Sequence, residues 1–213
     1  MTLRSILAVT DFSSKGCHAI ARAALLCAEH RATLKLVYLA HPDEAPPPDA
    51  AVRLAQHALQ LRQRHHITVQ AATRMDLTAA DVAREAADAE LVVWGTAPLR
   101  GLAAWFRTHP AVRMLRVCRR PVLVVRKRAA QPYQSLLVAV DFSQVSQRLV
   151  ELGSALQPSA RVELFHAIDT TNEGKLRYAE VSERAIRAYR EECQRFAQDR
   201  MFTLADSYDV RRN

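Results

Sequence analysis

The chain has 213 residues, of which 49% are hydrophobic and 24% charged, with a formal net charge of +8. That composition is ample for a packed core and excludes an intrinsically disordered polypeptide. No apolar run approaches the roughly 18–20 residues of a membrane span. The four cysteines (Cys17, Cys27, Cys118 and Cys193) form no Cys-x-x-Cys pair, so neither a disulfide framework nor a zinc site is indicated. We expect buried or half-buried thiols in a reducing compartment. The first residues enter a strand pattern with no signal-peptide sequence of charged, apolar and small-residue regions, and the expected location is cytoplasmic.

The positive charge is concentrated. Between Leu91 and Val140 there is no Asp or Glu, while the same window holds nine bases: Arg100, Arg107, Arg113, Arg116, Arg119, Arg120, Arg126, Lys127 and Arg128. These nine account for the whole surplus and can concentrate an anionic partner. No aromatic stacking pattern or known motif accompanies them, so nucleic acid is not the partner expected.

In chain order, residues 3–10 form an apolar run suited to a strand covered on both faces. Asp11 to Ser14 form a turn, with Ser13 or Ser14 as helix N-cap. From about Lys15 to His30, Ala19, Ala23, Leu26 and Cys27 recur at helical spacing. A strand follows over Thr33 to Ala40, then a stiff loop carrying Pro42, Pro46, Pro47 and Pro48. A second helix is expected from about Ala51 to Arg64, with Val52, Ala55, Leu59 and Leu61 turned inward. Ile67 to Ala71 reads as a short strand, preceded by His65 and His66 as solvated turn residues. Asp76 or Thr78 opens a third helix running to about Asp88, and Leu91 to Trp94 is a fourth strand ending at Gly95. A helix over 111–118 and a fifth strand over 121–125, reading PVLVV, complete this half. Strands alternating with helices indicate an α/β layer with a parallel sheet and right-handed crossovers.

The opening is repeated. Residues 5–13 read SILAVTDFS and residues 135–143 read SLLVAVDFS. Both are apolar runs ending in Asp-Phe-Ser, the mark of a duplicated unit. The second copy is expected to supply a strand (136–140), a helix (145–156), a strand (161–168) and a long helix over about 175–199. In that helix Val181, Ala185, Tyr189, Cys193 and Phe196 are the expected inward positions, and Met201 to Leu204 reads as the stub of a third strand. The division is 1–127 as a complete domain, 128–134 as a linker and 135–213 as a truncated second copy.

This order of elements, with Asp-Phe-Ser after the first strand and a glycine loop after the fourth, resembles the universal stress protein family. The resemblance covers 3–126 as one domain and 135 to about 204 as half of another. It implies an open parallel five-stranded sheet flanked by helices, Rossmann-like and similar to the adenine nucleotide alpha hydrolases. Family members with a nucleotide site bind ATP at the strand ends. Their fingerprint is Gly-x-x-Gly, nine residues, then Gly-Ser or Gly-Thr, which brings backbone amides to the phosphates. Laid on this chain, the first glycine is Gly95, the second falls on Pro98, the third on Thr108 and the hydroxyl position on His109. Pro98 has no N–H to donate, and the branched Cβ of Thr108 resists close approach.

By the same resemblance Asp11 takes the family's acidic position, and Thr10 and Leu39 line the adenosine pocket; Asp11 also suits a turn or cap. Arg100 and Arg107 offer charge where glycine amides are lost. The resemblance further implies that Pro121, Val122, Leu123, Val124 and Val125 form an edge strand pairing antiparallel in a homodimer. No catalytic constellation or metal-ligand spacing is present. The expectation is therefore a stress-response binding module independent of ATP and not an enzyme. The alternative is an adenine-nucleotide-binding protein using Asp11, Gly95 and nearby arginines.

Overall fold

The structure, a computed structural model, describes residues 2–40, 45–95 and 116–212. The expected helix over 111–118 falls mostly outside them, as do Arg100, Thr108 and His109. The chain divides into two units, Thr2–Pro132 and Tyr133–Asn213. No described helix is long and apolar enough to cross a membrane.

In the first unit β1 (Ser5–Thr10), β2 (Thr33–Tyr38), β3 (Val69–Ala71), β4 (Leu91–Gly95) and β5 (Val122–Val125) form one parallel sheet in the order β3-β2-β1-β4-β5. The central β1 is buried along almost its whole length, which is why its sequence is a continuous apolar run rather than an alternating one. Ile6 pairs with both Leu34 and Leu91, so the strand carrying the Asp-Phe-Ser turn is flanked on both sides.

Helix α1 (Ser14–His30) starts where Ser13 accepts a hydrogen bond from Gly16 N–H. It stops at Arg31, which adopts φ 56° and donates its N–H to Cys27. Its buried face includes Ala19, Ala23, Leu26 and Cys27, the stripe expected from the sequence. Burial pushes the Cys27 thiol up to about 12, so it behaves as a small apolar group.

Helix α2 (Ala50–His65) is rotated from its expected phase. It buries Ala50, Leu54 and Ala58, while Val52 and Leu59 remain 59% and 53% exposed and Ala55 is exposed. Two stripes of this helix have helical spacing, and the buried one also carries Arg62. The Arg62 Nε donates to the carbonyl of Val69 on edge strand β3 at 2.9 Å, which adds a polar contact to that face. The expected third strand shortens to three residues, although Ile67 before it is still buried.

Helix α3 (Ala79–Glu85), followed by a single 3-10 turn at Ala86–Asp88, begins with a capping box. Asp81 N–H donates to Thr78 Oγ1 at 3.2 Å, and Thr78 N–H donates to Asp81 Oδ2 at 2.9 Å. The Thr78 hydroxyl, and after it the Thr78 amide, hold the Asp81 carboxyl down to about 2. Because the folded value lies below the ordinary one, this contribution is complete above about pH 4 and is lost as pH falls towards 2. Thr78→Ala should cost about 1 kcal/mol near neutral pH in denaturant unfolding. It should also flatten the acid-side fall in stability; an unchanged acid limb would show that Asp81 is held by other groups.

In the second unit β6 (Ser135–Ala139) and β7 (Arg161–Phe165) form a two-stranded parallel sheet, with helices α4 (Gln144–Leu156), α5 (Asn172–Tyr178) and α6 (Glu183–Arg212). Two expectations change here. The long helix is interrupted where Glu180 adopts φ 54°, and α6 restarts after Ser182. Its buried positions are Ile186, Ala197 and Leu204, while Ala185 and Phe196 face solvent. Met201–Leu204 is not a strand but lies within α6, where Met201 and Leu204 pack on Val138, Val140 and Val150.

The duplication allows a position-by-position comparison. In the first unit Leu7, Val9 and Val37 belong to a core closed by Leu77, Val82, Ala86 and Val92. Their counterparts by strand register are Leu137, Ala139 and Phe165. Leu7 is 0% exposed and Leu137 is 67% exposed, although both are leucines on the same face of the same strand type.

Candidate functional site

The candidate site lies at the ends of β1 and β2. Thr10 is buried, and its Oγ1 accepts from Phe12 N–H at 3.0 Å. Asp11 Oδ1 accepts from Ser13 N–H at 2.9 Å. Leu39 N–H donates to the Thr10 carbonyl at 2.9 Å, so Thr10, Asp11 and Leu39 lie at neighbouring strand ends. The price of this tight strand-to-helix turn is Phe12 at φ 59°, in the left-handed region where a bulky residue is strained.

Phe12 was not foreseen as more than a turn residue. Its ring stacks on Tyr38 with centroids 4.7 Å apart and planes at 22°. The guanidinium carbon of Arg53 lies 4.3 Å from the same ring centroid, a cation–π contact, and His57 stacks at 6.0 Å. Burial, reinforced by the Arg53 charge, lowers the His57 pKa below its ordinary value and favours the neutral imidazole. An open cleft of about 410 Å3 is lined by Asp11, Phe12, Ser13, Tyr38, Pro47 and Arg53, among others. Its described lining offers the exposed Asp11 carboxylate, the Arg53 cation and an aromatic surface.

The second copy rebuilds this turn. Phe142 adopts φ 61°, and Asp141 Oδ1 accepts from Ser143 N–H at 3.0 Å. Phe142 lies 4.1 Å from the ring of His166, which occupies the register position of Tyr38. The repeated Phe, with an aromatic or imidazole ring at the matching strand end, was the signal available in the sequence. The copies differ within the turn, where Val140 has no hydroxyl to replace Thr10 Oγ1. Gly16 stands in the first copy where Ser146 stands in the second, and Ser146 Oγ donates to Asp141 Oδ1 at 2.7 Å. Hydrogen bonds from Ser143 and then Ser146 hold the Asp141 carboxyl well below the usual carboxylate range.

Gly95 has a packing role. A Cβ placed on it would lie 1.9 Å from the Lys15 carbonyl oxygen and 2.9 Å from Gly16 N, both backbone atoms. The first turn of α1 therefore passes directly over the end of β4, and only glycine admits it. A Cβ on Gly16 would in turn meet Asp11 Oδ1 and Thr10 Oγ1, each at 2.6 Å. Gly16 was not singled out in the sequence. Strand β5, with Pro121 just before it, is an edge of the sheet. Among the described residues no group of three His, Cys, Asp or Glu side chains is placed to share a metal ion.

The model of the universal stress protein family matches residues 2–126. The chain belongs to the universal stress protein family. A solved universal stress protein from Archaeoglobus fulgidus DSM 4304 is 15% identical, covering 89% of this chain and 84% of its own, with a TM-score of 0.60. A family protein from Burkholderia pseudomallei is 24% identical, covering 58% of this chain and 96% of its own, at a TM-score of 0.41. A universal stress protein crystallised in complex with cAMP is 20% identical, covering 59% of this chain and 98% of its own, at 0.48. At 15% identity and a TM-score of 0.60, the Archaeoglobus fulgidus protein shares its fold with this chain. A search of curated proteins finds no match.

Proposed function

We propose that this universal stress protein acts in the cytoplasm as a stress-response binding module, working through partners rather than as an enzyme or an ATP-dependent switch. The observation that carries this reading is the place of Gly95. It is the one residue that keeps its glycine in the family's phosphate fingerprint, and the approach of Lys15 and Gly16 accounts for it without a phosphate. The other fingerprint positions hold Pro98, Thr108 and His109, which offer poor backbone approach to an anion. The surface we assign to binding is the edge of β5, residues 121–126.

A second reading rests on a different observation. Asp11, Phe12, Tyr38 and Arg53 line one cleft at the strand ends, next to the Thr10–Leu39 contact, where an adenine nucleotide would have both a stacking surface and a carboxylate. Isothermal titration of nucleotide-stripped protein with ATP and Mg²⁺, and then with AMP, decides between the two. The binding-module reading expects no saturable heat from folded protein. Micromolar binding that Asp11→Ala weakens would overturn it in favour of the nucleotide reading.

A further inference from the structure

We propose that the open edge of β5 takes an extended strand from another protein, one with an apolar centre flanked on both sides by Asp or Glu. The inference rests on the binding-module reading and names the partner class of that same edge. Among the described residues β5 pairs with β4 alone, so its other side carries backbone groups with no strand partner among them. Val92 N–H donates to the Pro121 carbonyl, which turns Pro121 towards β4. In a parallel pair the N–H and C=O of successive residues alternate sides. The N–H and C=O groups of Val122 and Val124 therefore point outward and are available to a further strand. The residues between Pro121 and Val125 are half-buried and apolar, which suits an apolar centre in the added strand.

The charge around the strand decides the occupant. Residues 116–128 contain Arg116, Arg119 and Arg120 before β5 and Arg126, Lys127 and Arg128 after it, with no acid between them. All six are exposed, and none is drawn into an ion pair among the described residues. The Lys15 ammonium joins the second cluster, donating to the Arg126 carbonyl at 3.1 Å. Symmetric antiparallel pairing with a second copy, in the register that opposes Val122 to Val124, would set Arg119 against Lys127 and Arg120 against Arg126, twice over. Like charges directly opposite across a ladder are destabilising. The self-pairing implied by the family resemblance is therefore opposed by its ends. A strand acidic at both ends is matched in either direction, because both ends of β5 are basic. A polyanion without strand character would use the charge and leave the four outward backbone groups unpaired.

The test uses the full chain and fluorescence anisotropy with labelled peptides. One peptide has a Val/Thr centre with acidic flanks, a second has the same centre with lysine flanks, and a third has acidic flanks around a Gly/Ser centre. The proposal expects saturable binding of the first only. That binding should weaken by about tenfold or more with Lys127→Glu and Arg128→Glu together, folding being checked by circular dichroism. Val124→Pro, which removes an outward N–H, should weaken it without altering the charge. Equal binding of the Gly/Ser peptide, or of single-stranded DNA, would overturn the proposal in favour of general anion binding. So would a dimer in sedimentation velocity that Val124→Pro dissociates, which would assign the edge to a second copy. If the peptides fail and ATP also fails to bind, only this inference falls; if ATP binds, the binding-module reading falls whatever the peptides do.

Discussion

Gly95→Ala should destabilise the first unit by about 3 kcal/mol or more, measured by denaturant or thermal unfolding in the absence of any nucleotide. The added methyl would lie inside the van der Waals envelope of the Lys15 carbonyl, and its obstruction is backbone rather than a side chain that swings away. Relief requires the start of α1 to lift from the end of β4. That movement would also disturb the Ser13 cap and the Asp11 turn, which lie in the continuous stretch from Asp11 to Gly16. If Gly95→Ala unfolds like the parent protein, the close approach is not present in solution and the glycine is free to be read as a phosphate-loop residue. The packing and ligand explanations thus separate on stability alone.

Leu7→Ala should cost about 2–5 kcal/mol, because it removes buried methyl groups from a core that cannot collapse around the gap. Leu137→Ala, at the matching position of the second copy, should stay within about 0.5 kcal/mol. The two substitutions are chemically identical and sit on the same face of paired parallel strands. They differ in what lies above them: Leu7 shares its cluster with Val82 and Ala86, whereas Leu137 is 67% exposed. A large cost at Leu137, read from the unfolding of full-length protein, would mean that this face is covered in solution.

The sheet, the Ser13 cap and the duplicated turn were legible because they rest on local patterns: continuous apolar runs, a hydroxyl before a helix, and Asp-Phe-Ser repeated in place. The phase of α2 was not, since Val52, Ala55 and Leu59 form as good a helical stripe as Leu54 and Ala58. Only the contact of Arg62 with β3 and the burial of Leu54 distinguish them. Met201–Leu204 misled for a similar reason, as four apolar-rich residues carry no period long enough to tell strand from helix. At the candidate site the family resemblance pointed to Thr10, Asp11 and Leu39, which lie at the ends of β1 and β2. The stacking of Phe12 on Tyr38 spans two neighbouring parallel strands, and the pressure of Lys15 on Gly95 joins segments from opposite ends of the unit. Neither follows from any local spacing.

The strand order also sets a timetable. β1 lies in the middle of its sheet, yet its second neighbour is made late: Arg4 and Glu90, which meet at one end of the β1–β4 ladder, are 86 residues apart in the chain. At the usual ~5–20 residues per second of synthesis, several seconds separate the emergence of β1 and β2 from that of β4. During that interval the nascent chain has three strands, β3-β2-β1, with β1 as a bare outer strand whose unpaired amides and apolar side chains face the crowded surroundings. Formation of the Asp11 turn needs only the first helix, but its closure by Gly95 must wait. The most protected strand of the finished unit is thus its most vulnerable one while the protein is being made.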